Sequence, residues 1–184
     1  MFGGSFDPPH LAHVEIVNRL NEDWDIFFIL PTKQSPNKVN ETVASSDQRF
    51  QMCVYAFQII SPKIEVSNFE LNSSSPSYTI NAVRWILNKF PECELSIIIG
   101  EDQGAQLATW HEFEALQKLV SFICFSRNHF EVNPQIQLIY IDNLNFEISS
   151  TEFRNLLNSD PEKAKLMLHP QVFDYIQNNN LYLC

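Results

Sequence analysis

Residues 2–13 read FGGSFDPPHLAH, and this stretch holds two of the four glycines of the chain, Gly3 and Gly4. Glycine lets a backbone turn tightly and come close to a ligand, because no Cβ stands in the way. The two prolines that follow fix φ just ahead of a predicted helix at 10–21, where a missing N–H costs nothing. A helix N-terminus carries unpaired N–H groups and a partial positive charge, so the stretch predicts a turn and a helix start suited to a phosphate.

Two histidines stand at the start of this predicted helix. His10 and His13 are three residues apart, so both rings are expected on one face near the helix N-terminus. Two imidazoles there would donate hydrogen bonds to phosphoryl oxygens without carrying much fixed charge. Taken alone, the pair also fits half of a zinc site or two surface residues.

Short apolar runs alternate with helical patterns along the chain. The runs at 25–30 (DIFFIL) and 94–99 (ELSIII) are almost continuously apolar, as expected of strands covered on both faces. The alternation predicts an α/β fold, with a Rossmann-like doubly wound parallel sheet and helices on both sides. The predicted strands are 25–30, 63–69, 94–99, 120–125 and 136–141, and the predicted helices before residue 120 are 10–21, 47–60, 78–89 and 111–118.

The last part of the chain turns helical. Helices are predicted at 149–158, 161–168 and 171–178. A length of 184 residues is typical of one domain. We therefore expect a single domain over 1–184, in which 145–184 forms a small C-terminal helical part.

Composition limits the partners of this chain. It has 22 acidic and 12 basic side chains, a formal net charge of -10, and 45% hydrophobic residues, enough for a sizeable core. So few cations argue against nucleic acid and against an anionic membrane surface as partners. A small anionic substrate stays possible, provided that the scarce cations are concentrated in one place.

The cysteines and the apolar runs indicate a compartment. Cys53, Cys93, Cys124 and Cys184 form no CxxC pair and no zinc-finger spacing, so we expect free thiols in a reducing environment. The N-terminus does not resemble a signal peptide, and the apolar runs are too short to span a bilayer. The sequence therefore predicts a cytoplasmic protein.

A second chemical motif, ISSTEFR, lies at 148–154. Its hydroxyl side chains stand where a helix is predicted to begin, with Ser149 and Glu152 in a capping-box pattern, so the motif forms a second anion-binding helix terminus. Arg154 lies one turn after Ser150 and would reach the same phosphates with a planar, permanently charged guanidinium. Taken alone, the motif also fits an ordinary capped helix with a solvated arginine.

Both motifs resemble signatures of the nucleotidylyltransferase superfamily. GGSFDPPHLAH at 3–13 is similar to GGTFDPxHxGH, and ISSTEFR is similar to ISSTxIR. The resemblance implies that a strand, a loop and a helix cradle ATP, and that His10 and His13 contact the triphosphate and stabilise the transferring group. Ala12 replaces the usual glycine of the first motif, and Phe153 replaces the usual isoleucine of the second.

The first strand of that superfamily is normally central in the sheet. Here the chain starts at Met1, directly before Phe2, so most of that strand is missing. We expect a gene start that is a few residues short rather than a compromised protein.

Further segments are similar to motifs of one family in this superfamily, the nicotinate mononucleotide adenylyltransferases. Asn37 stands where that family usually has a histidine. The resemblance covers nearly the whole chain, with the motifs in the order of the family. The segments are LP at 30–31 with SPNK at 35–38, PSYT at 76–79, IIGED at 98–102 and TWH at 109–111.

The resemblance implies how each substrate is bound. Trp110 would stack on the nicotinate ring, a contact worth about 0.5–2 kcal/mol, although from the sequence alone it also fits a core tryptophan. The amides of Thr79 and His111 and the Thr79 hydroxyl would bind the nicotinate carboxylate, and Asp102, which also fits a helix N-cap, would lie near the ATP ribose. The implied mononucleotide-binding residues are Lys38, Tyr78, Thr79, Trp110, His111 and Arg127. The implied ATP-binding residues are Gly3, Gly4, Ser5, Phe6, His10, His13, Gly100, Asp102, Ile148, Ser149, Ser150, Thr151 and Arg154.

The resemblance also implies the reaction. A phosphate oxygen of nicotinate mononucleotide would attack the α-phosphorus of ATP, giving deamido-NAD and pyrophosphate, with Mg²⁺ held mainly through the ATP phosphates and not by a protein cage. The implied catalytic residues are His10, His13, Lys38 and Arg154. Two alternatives stay open: another adenylyltransferase of the fold, acting on phosphopantetheine or nicotinamide mononucleotide, and a non-catalytic nucleotide-binding module. A homo-oligomer is also left open.

Overall fold

Among the residues that the structure describes, the sheet has six strands, and every pair of neighbours is parallel. The computed structural model describes residues 1–20, 22–33, 42–73, 76–125, 138–141 and 148–183. Within these residues the strands are β1 (Phe2–Gly4), β2 (Phe27–Pro31), β3 (Ile64–Val66), β4 (Ser96–Gly100), β5 (Ser121–Phe125) and β6 (Leu138–Ile141). Their order across the sheet is β3-β2-β1-β4-β5-β6. This order confirms the predicted α/β class and its doubly wound parallel sheet.

The central strand, β1, has only 3 residues. It pairs with β2 from Phe2 opposite Ile29 to Gly4 opposite Pro31, and it pairs with β4 through Phe2 opposite Ile98. The chain adds β2 and β3 on one side of β1 and the remaining strands on the other. The carboxyl ends of β1 and β4 therefore form the switch point of the sheet, where ligands bind in folds of this class.

The helices lie between the strands and after them. They are α1 (Leu11–Leu20), α2 (Ser46–Phe57), α3 (Thr79–Lys89), α4 (Glu101–Gly104), α5 (Phe113–Leu116), α6 (Ser150–Ser159), α7 (Pro161–Lys165) and α8 (Pro170–Asn178). A 3₁₀ turn at Leu107–Thr109 stands between α4 and α5.

One predicted helix is wrong in its extent. The pattern at 111–118 predicts a continuous helix, but the structure has only α5, because Glu112 lies in the left-handed region at φ 53° and stops helical continuation before Phe113. The helix α4, directly after β4, has no counterpart among the predicted helices. The strand predicted at 63–69 is also shorter, since β3 covers Ile64–Val66.

The helices after the sheet share its core. Phe153 and Leu157 of α6 and Val172 and Ile176 of α8 are buried in the same apolar cluster as Phe2 of β1. On the other face of the sheet, α3 and α5 cover β4 and β5. The C-terminal helices therefore fix the position of the ISST motif, at the start of α6, against the N-terminal strand.

Three of the four cysteines lie within the described residues, and Cys184 lies outside them. Cys53 and Cys124 are buried and Cys93 is exposed, and all three are free thiols. In the part of the chain that the structure describes, the helices are too short or too polar to cross a bilayer.

Candidate active site

Two cavities open at the carboxyl edge of the sheet, at the switch point between β1 and β4. The first has a volume of about 740 Å³ and is lined by both sequence motifs. The second has a volume of about 480 Å³ and is lined by the PSYT and TWH segments. Gly3, Gly4, Ser5, Asp102 and Gln103 line both cavities, so two ligands would meet at the glycine loop.

The loop after β1 is tightly folded. A Cβ on Gly4 would lie 3.1 Å from Cζ of Phe6, a contact closer than nearly all Cβ atoms make. Phe6 itself has φ 47°, in the left-handed region, and its ring is buried. The glycine at position 4 is therefore required by the ring of Phe6, which packs under the loop and holds it against the sheet.

The two histidines form a stacked pair at the start of α1. Their ring centroids are 3.7 Å apart with planes at 23°. The backbone N–H of His10 donates to Nδ1 of His13 over 3.2 Å, so a neutral His13 carries its proton on Nε2. His10 lies one residue before the helix, and not inside it as the spacing predicts, but both side chains line the first cavity. The pair can therefore supply an N–H donor there.

The two sequence motifs are hydrogen-bonded to each other. Ser150 Oγ donates to the carbonyl of Pro8 over 2.9 Å. Nη1 of Arg154 donates to the carbonyl of Asp7, and Nη2 donates to Oγ1 of Thr151 over 3.2 Å. Ser149 caps α6 by accepting from the N–H of Glu152 over 3.1 Å, as the motif predicts. Because Arg154 is anchored at two atoms and lines the first cavity, its charge is held at a defined place there.

Asp7 is a buried carboxylate under the loop and is not among the predicted site residues. It accepts from the amides of Val43 at 2.8 Å and Ala44 at 3.1 Å, and from the hydroxyl of Tyr182 at 2.8 Å. Nη1 of Arg154 lies 3.7 Å from its Oδ2. Asp7 stands inside the quoted motif, between Phe6 and the two prolines, so its position in that motif was the available signal.

Arg49, on α2, is the second residue that was missed. Its side chain is fully buried, and Nη1 donates to the carbonyls of Ser5 and Thr32, each over 2.7 Å. Burial lowers the pKa of Arg49 from its ordinary value, while the charge of Asp7 opposes that effect. Arg49 lies on the same face of α2 as the buried apolar residues, at the 3.6-residue spacing of a helix. That spacing was the signal in the sequence that Arg49 is buried.

The second cavity is built around the start of α3. Thr79 is the first residue of this helix, and no side chain caps the helix there. Trp110 follows the 3₁₀ turn, and the ring of His111 stacks on Tyr78 with centroids 4.2 Å apart. These four residues all line the second cavity, which therefore combines aromatic rings with a helix N-terminus.

Glu70 is a buried acid in the wall of the same cavity and had no signal in the sequence. It is 5% exposed, and the side chain of Ser77 is hydrogen-bonded to it. Ser77 Oγ in turn accepts from the N–H of Lys33 over 3.1 Å. Burial raises the pKa of Glu70 from 4.5 to about 7, although the hydrogen bond from Ser77 opposes that shift.

This raised pKa predicts a pH-dependent stability. The folded protein keeps Glu70 protonated up to about pH 7, whereas the unfolded chain ionises it near 4.5. Glu70 therefore makes its full contribution to the free energy of unfolding below pH 4.5, and that contribution is lost as the pH rises to about 7. We expect the free energy of unfolding of Glu70→Gln, relative to that of wild type, to rise by about 3 kcal/mol from acid to alkaline pH. Urea unfolding at several pH values measures this difference.

Glu65→Gln, which alters an exposed carboxylate on β3, is the matched control. A stability difference between wild type and Glu70→Gln that stays constant from pH 4 to pH 8 would refute a buried, neutral Glu70.

The end of β4 places Asp102 beside the glycine loop. Gly100 donates its N–H to Oε1 of Gln103 over 3.3 Å, and α4 begins at the next residue. A Cβ on Gly100 would lie 2.9 Å from Oδ1 of Asp102. The absence of a side chain at position 100 therefore decides where the carboxylate of Asp102 can lie.

We accordingly predict that Gly100→Ala displaces the Asp102 carboxylate and raises KM for the ligand of the first cavity about tenfold, with little change in the fold. Steady-state kinetics and a urea unfolding curve measure the two effects. Gly104→Ala is the control, because a Cβ there would meet Cys124 Sγ at 3.4 Å, an ordinary contact. Equal kinetics for the two variants would contradict this role of Gly100.

The structure brings most of the predicted site residues together. All thirteen predicted ATP-binding residues line the first cavity. Of the predicted mononucleotide-binding residues, Tyr78, Thr79, Trp110 and His111 line the second. Lys38 and Arg127 lie outside the described residues, as does Asn37. Ala12 is buried in the wall of the first cavity.

Carboxylates near the first cavity could contribute to a metal site. Among the described residues there is no group of three or more His, Cys, Asp or Glu side chains that could hold a metal ion. Glu101 and Asp102 do line the cavity, and their oxygens are the kind of ligand that a hard cation prefers. This donor set fits a cation that shares its coordination with a phosphate-bearing ligand.

The chain belongs to the cytidylyltransferase-like family, whose model matches residues 1–156. The nicotinate-nucleotide adenylyltransferase of Bacillus subtilis strain 168 is 31% identical over 99% of this chain and 96% of its own length. A probable nicotinate-nucleotide adenylyltransferase of Methylacidiphilum infernorum isolate V4 is 35% identical over 100% of this chain and 91% of its own.

A solved structure gives the same result. The Plasmodium falciparum nicotinic acid mononucleotide adenylyltransferase, in complex with NaAD, is 27% identical, with a TM-score of 0.78 over 98% of this chain and 95% of its own. The resemblance to nicotinate mononucleotide adenylyltransferases that the motifs predicted is thus confirmed.

Proposed function

We propose that this protein transfers the adenylyl group of ATP to nicotinate mononucleotide, giving deamido-NAD and pyrophosphate in NAD biosynthesis. One observation carries the proposal: the two anion-binding motifs, joined by the Ser150–Pro8 hydrogen bond, line one cavity, and the aromatic PSYT and TWH segments line the cavity next to it. Similarity to nicotinate-nucleotide adenylyltransferases over nearly the full chain supports the same acceptor.

The reaction is an in-line displacement at phosphorus. A phosphate oxygen of the mononucleotide forms a bond to the α-phosphorus of ATP, while the bond from that phosphorus to the bridging α,β-oxygen breaks and pyrophosphate leaves with its electron pair. A phosphate monoester is largely ionised at pH 7, with a second pKa near 6, so the nucleophile needs no strong base. The protein therefore acts by positioning the two substrates and by stabilising charge.

The first cavity binds ATP. His10 and His13 donate to the triphosphate from the start of α1, and Arg154 binds the same phosphates from α6. Gly3 and Gly4 let the phosphates approach the backbone. The other ATP-binding residues are Ser5, Phe6, Gly100, Asp102, Ile148, Ser149, Ser150 and Thr151.

The second cavity binds the mononucleotide. Trp110 stacks on the pyridinium ring, and Tyr78, with its ring on that of His111, supports the same pocket. The N–H groups of Thr79 and His111 receive the nicotinate carboxylate. Lys38, which also acts in catalysis, and Arg127 complete the site at the phosphate of the mononucleotide.

Mg²⁺ would accompany bound ATP. The phosphates would hold most of the cation's coordination. Asp102 lines both cavities, and its carboxylate would be available to the hydration shell of the cation. When bound, the cation neutralises part of the phosphate charge. The residues of this chain hold the nucleotide in place around it.

The whole chain acts as one catalytic domain in a reducing cytoplasm. The core shared by the sheet and α6–α8 supports a single folding unit over 1–184, with 145–184 as its helical part. The free thiols of Cys53, Cys93 and Cys124 are consistent with the compartment.

A pyrophosphate-release assay with ATP and three acceptors tests the function. Nicotinate mononucleotide is expected to give the highest kcat/KM, ahead of nicotinamide mononucleotide and phosphopantetheine. A preference for either of the other two would identify a different adenylyltransferase. Thermal protection by ATP without pyrophosphate release from any acceptor would instead identify a nucleotide-binding module.

A further inference from the structure

We propose that Arg84 and Glu112 are positioning residues for the mononucleotide, because their ion pair joins the segment at 110–112 to α3 and so fixes the two sides of the second cavity relative to each other. The inference rests on the proposed function, which places the nicotinate group between these two sides. Both residues lie outside the predicted site and are not among the described residues that line the cavity.

The two sides of the second cavity come from separate parts of the chain. Tyr78 and Thr79 stand at the start of α3, whereas Trp110 and His111 follow the 3₁₀ turn. Under the proposed function, the N–H groups of Thr79 and His111 converge on one carboxylate. A carboxylate accepts from both only when each amide nitrogen lies about 2.7–3.2 Å from an oxygen, so a shift of the segment at 110–112 by about 1 Å would break one bond.

The ion pair is a bidentate contact between these two parts. Nη1 of Arg84 donates to Oε1 of Glu112 over 3.0 Å, and Nη2 donates to Oε2 over 2.6 Å. The hydrogen bond from Arg84 is the main cause that lowers the pKa of Glu112, so this carboxylate is charged at neutral pH. Exposed ion pairs usually contribute little, but a planar guanidinium that makes two bonds to one carboxylate is the geometry that does contribute.

The carboxylate of Glu112 also faces a ring that lines the cavity. Nε2 of His111 lies 3.5 Å from Oε1 of Glu112. The same ring stacks on Tyr78 with centroids 4.2 Å apart, and Tyr78 directly precedes α3. The position of Glu112 is therefore connected to that of His111 through the side chain as well as through the backbone.

Glu112 needs a contact outside its own segment because its backbone conformation is unfavourable. At φ 53° and ψ 40° it lies in the left-handed region, which residues other than glycine and asparagine rarely adopt. Such a conformation persists only where the surrounding structure holds it. Phe113, the next residue, is buried in the core, so relaxation of Glu112 after loss of Arg84 would move His111 and Trp110 instead.

The test measures pyrophosphate release with ATP and nicotinate mononucleotide in wild type and in Arg84→Gln. Glutamine removes the charge and the guanidinium but is still a good helix former on α3. We expect KM for the mononucleotide to rise about fivefold, which is the loss that one exposed bidentate pair accounts for, while kcat and KM for ATP stay within about twofold. Urea unfolding should give nearly the same free energy of unfolding as wild type, since the substitution is on the surface.

Lys89→Gln is the matched control on the same helix. It also removes one positive charge and one exposed ion pair from α3, but the partner of Lys89 is Glu65 of β3 and not the segment at 110–112. Its KM for the mononucleotide should equal that of wild type. The control thereby separates the Arg84–Glu112 contact from a general loss of positive potential.

Two substitutions of Glu112 test the pair and the backbone separately. Glu112→Gln should raise KM for the mononucleotide about fivefold, and Arg84→Gln/Glu112→Gln should be no worse, because either change removes the same pair. Glu112→Asn also loses the charge, but asparagine tolerates the left-handed region. Its KM for the mononucleotide should therefore lie below that of Glu112→Gln.

The outcomes distinguish this inference from the proposed function. A wild-type protein that releases no pyrophosphate with any acceptor would refute the proposed function, and the inference with it. With an active wild type, equal KM values for Arg84→Gln and Lys89→Gln would overturn the inference alone. Multiplied effects in the double variant, a Glu112→Asn no better than Glu112→Gln, or equal rises in KM for both substrates together with a loss of stability would do the same.

Discussion

Replacement of His13 by alanine is expected to lower kcat about 100-fold while KM for ATP changes little. The size follows from the loss of one preorganised donor to the charge that develops on the transferring group, which in other sites of this kind costs between about 100-fold and 1000-fold. His13 is suited to this role because its Nδ1 accepts from the His10 N–H, which leaves Nε2–H as the donor. Steady-state kinetics with both substrates measure the effect, and nucleotide binding is followed by calorimetry.

Two further variants test which ring nitrogen matters. The amide of His13→Gln reaches about as far as Nε2 and should recover activity to within about tenfold of wild type, whereas the shorter His13→Asn should resemble alanine. Turnover of His13→Ala within about threefold of wild type would exclude His13 from catalysis.

The largest expected effect on stability belongs to Arg49. Arg49→Met keeps much of the side-chain volume but removes the two hydrogen bonds of Nη1 to Ser5 and Thr32, and it removes a buried charge that interacts with Asp7. A buried acceptor that loses its donor costs about 1–3 kcal/mol, and two are left here, so we expect the free energy of unfolding to fall by about 2–6 kcal/mol. Urea unfolding at pH 7 gives the measurement.

The control for Arg49 separates charge from geometry. Arg49→Lys keeps the charge, but its single ammonium cannot bridge two carbonyls from one planar fork, so we expect a loss of about half that size. Asp7→Asn should restore part of the stability of Arg49→Met, since it removes the buried negative charge with which Arg49 interacts. A destabilisation of Arg49→Met below about 1 kcal/mol would show that Arg49 does not anchor the loop.

Some elements were predictable because their signals are local. The runs predicted as strands at 25–30 and 94–99 correspond to β2 and β4, because continuous apolar character is typical of a strand covered on both faces. The helix predicted at 111–118 failed for a local reason too, because nothing in the pattern announces the left-handed backbone at Glu112.

The site residues were likewise predictable only where they have a local sequence signal. Residues with a motif of their own, such as His13 and Arg154, were found, and the first cavity contains both. Glu70 was not, because a glutamate in a loop is ordinarily solvated and only burial makes its carboxyl group unusual. Arg49 was overlooked because a basic residue on an amphipathic helix is normally assigned to the polar face.

The sequence by itself determined most of the alternation of strands and helices, the chemical groups at the two motifs and the pairing of the two histidines, since each depends on residues a few positions apart. Only the tertiary structure decided how the motifs meet. Ser150 and Pro8 are 142 positions apart and Tyr182 and Asp7 are 175, and no local pattern encodes a hydrogen bond of that span. The parallel sheet brings the ends of β1 and β4 to one edge, and the core shared with α6 then places Arg154 over the loop. Packing of the whole chain therefore decided which polar groups hold the loop and which remain available to a ligand.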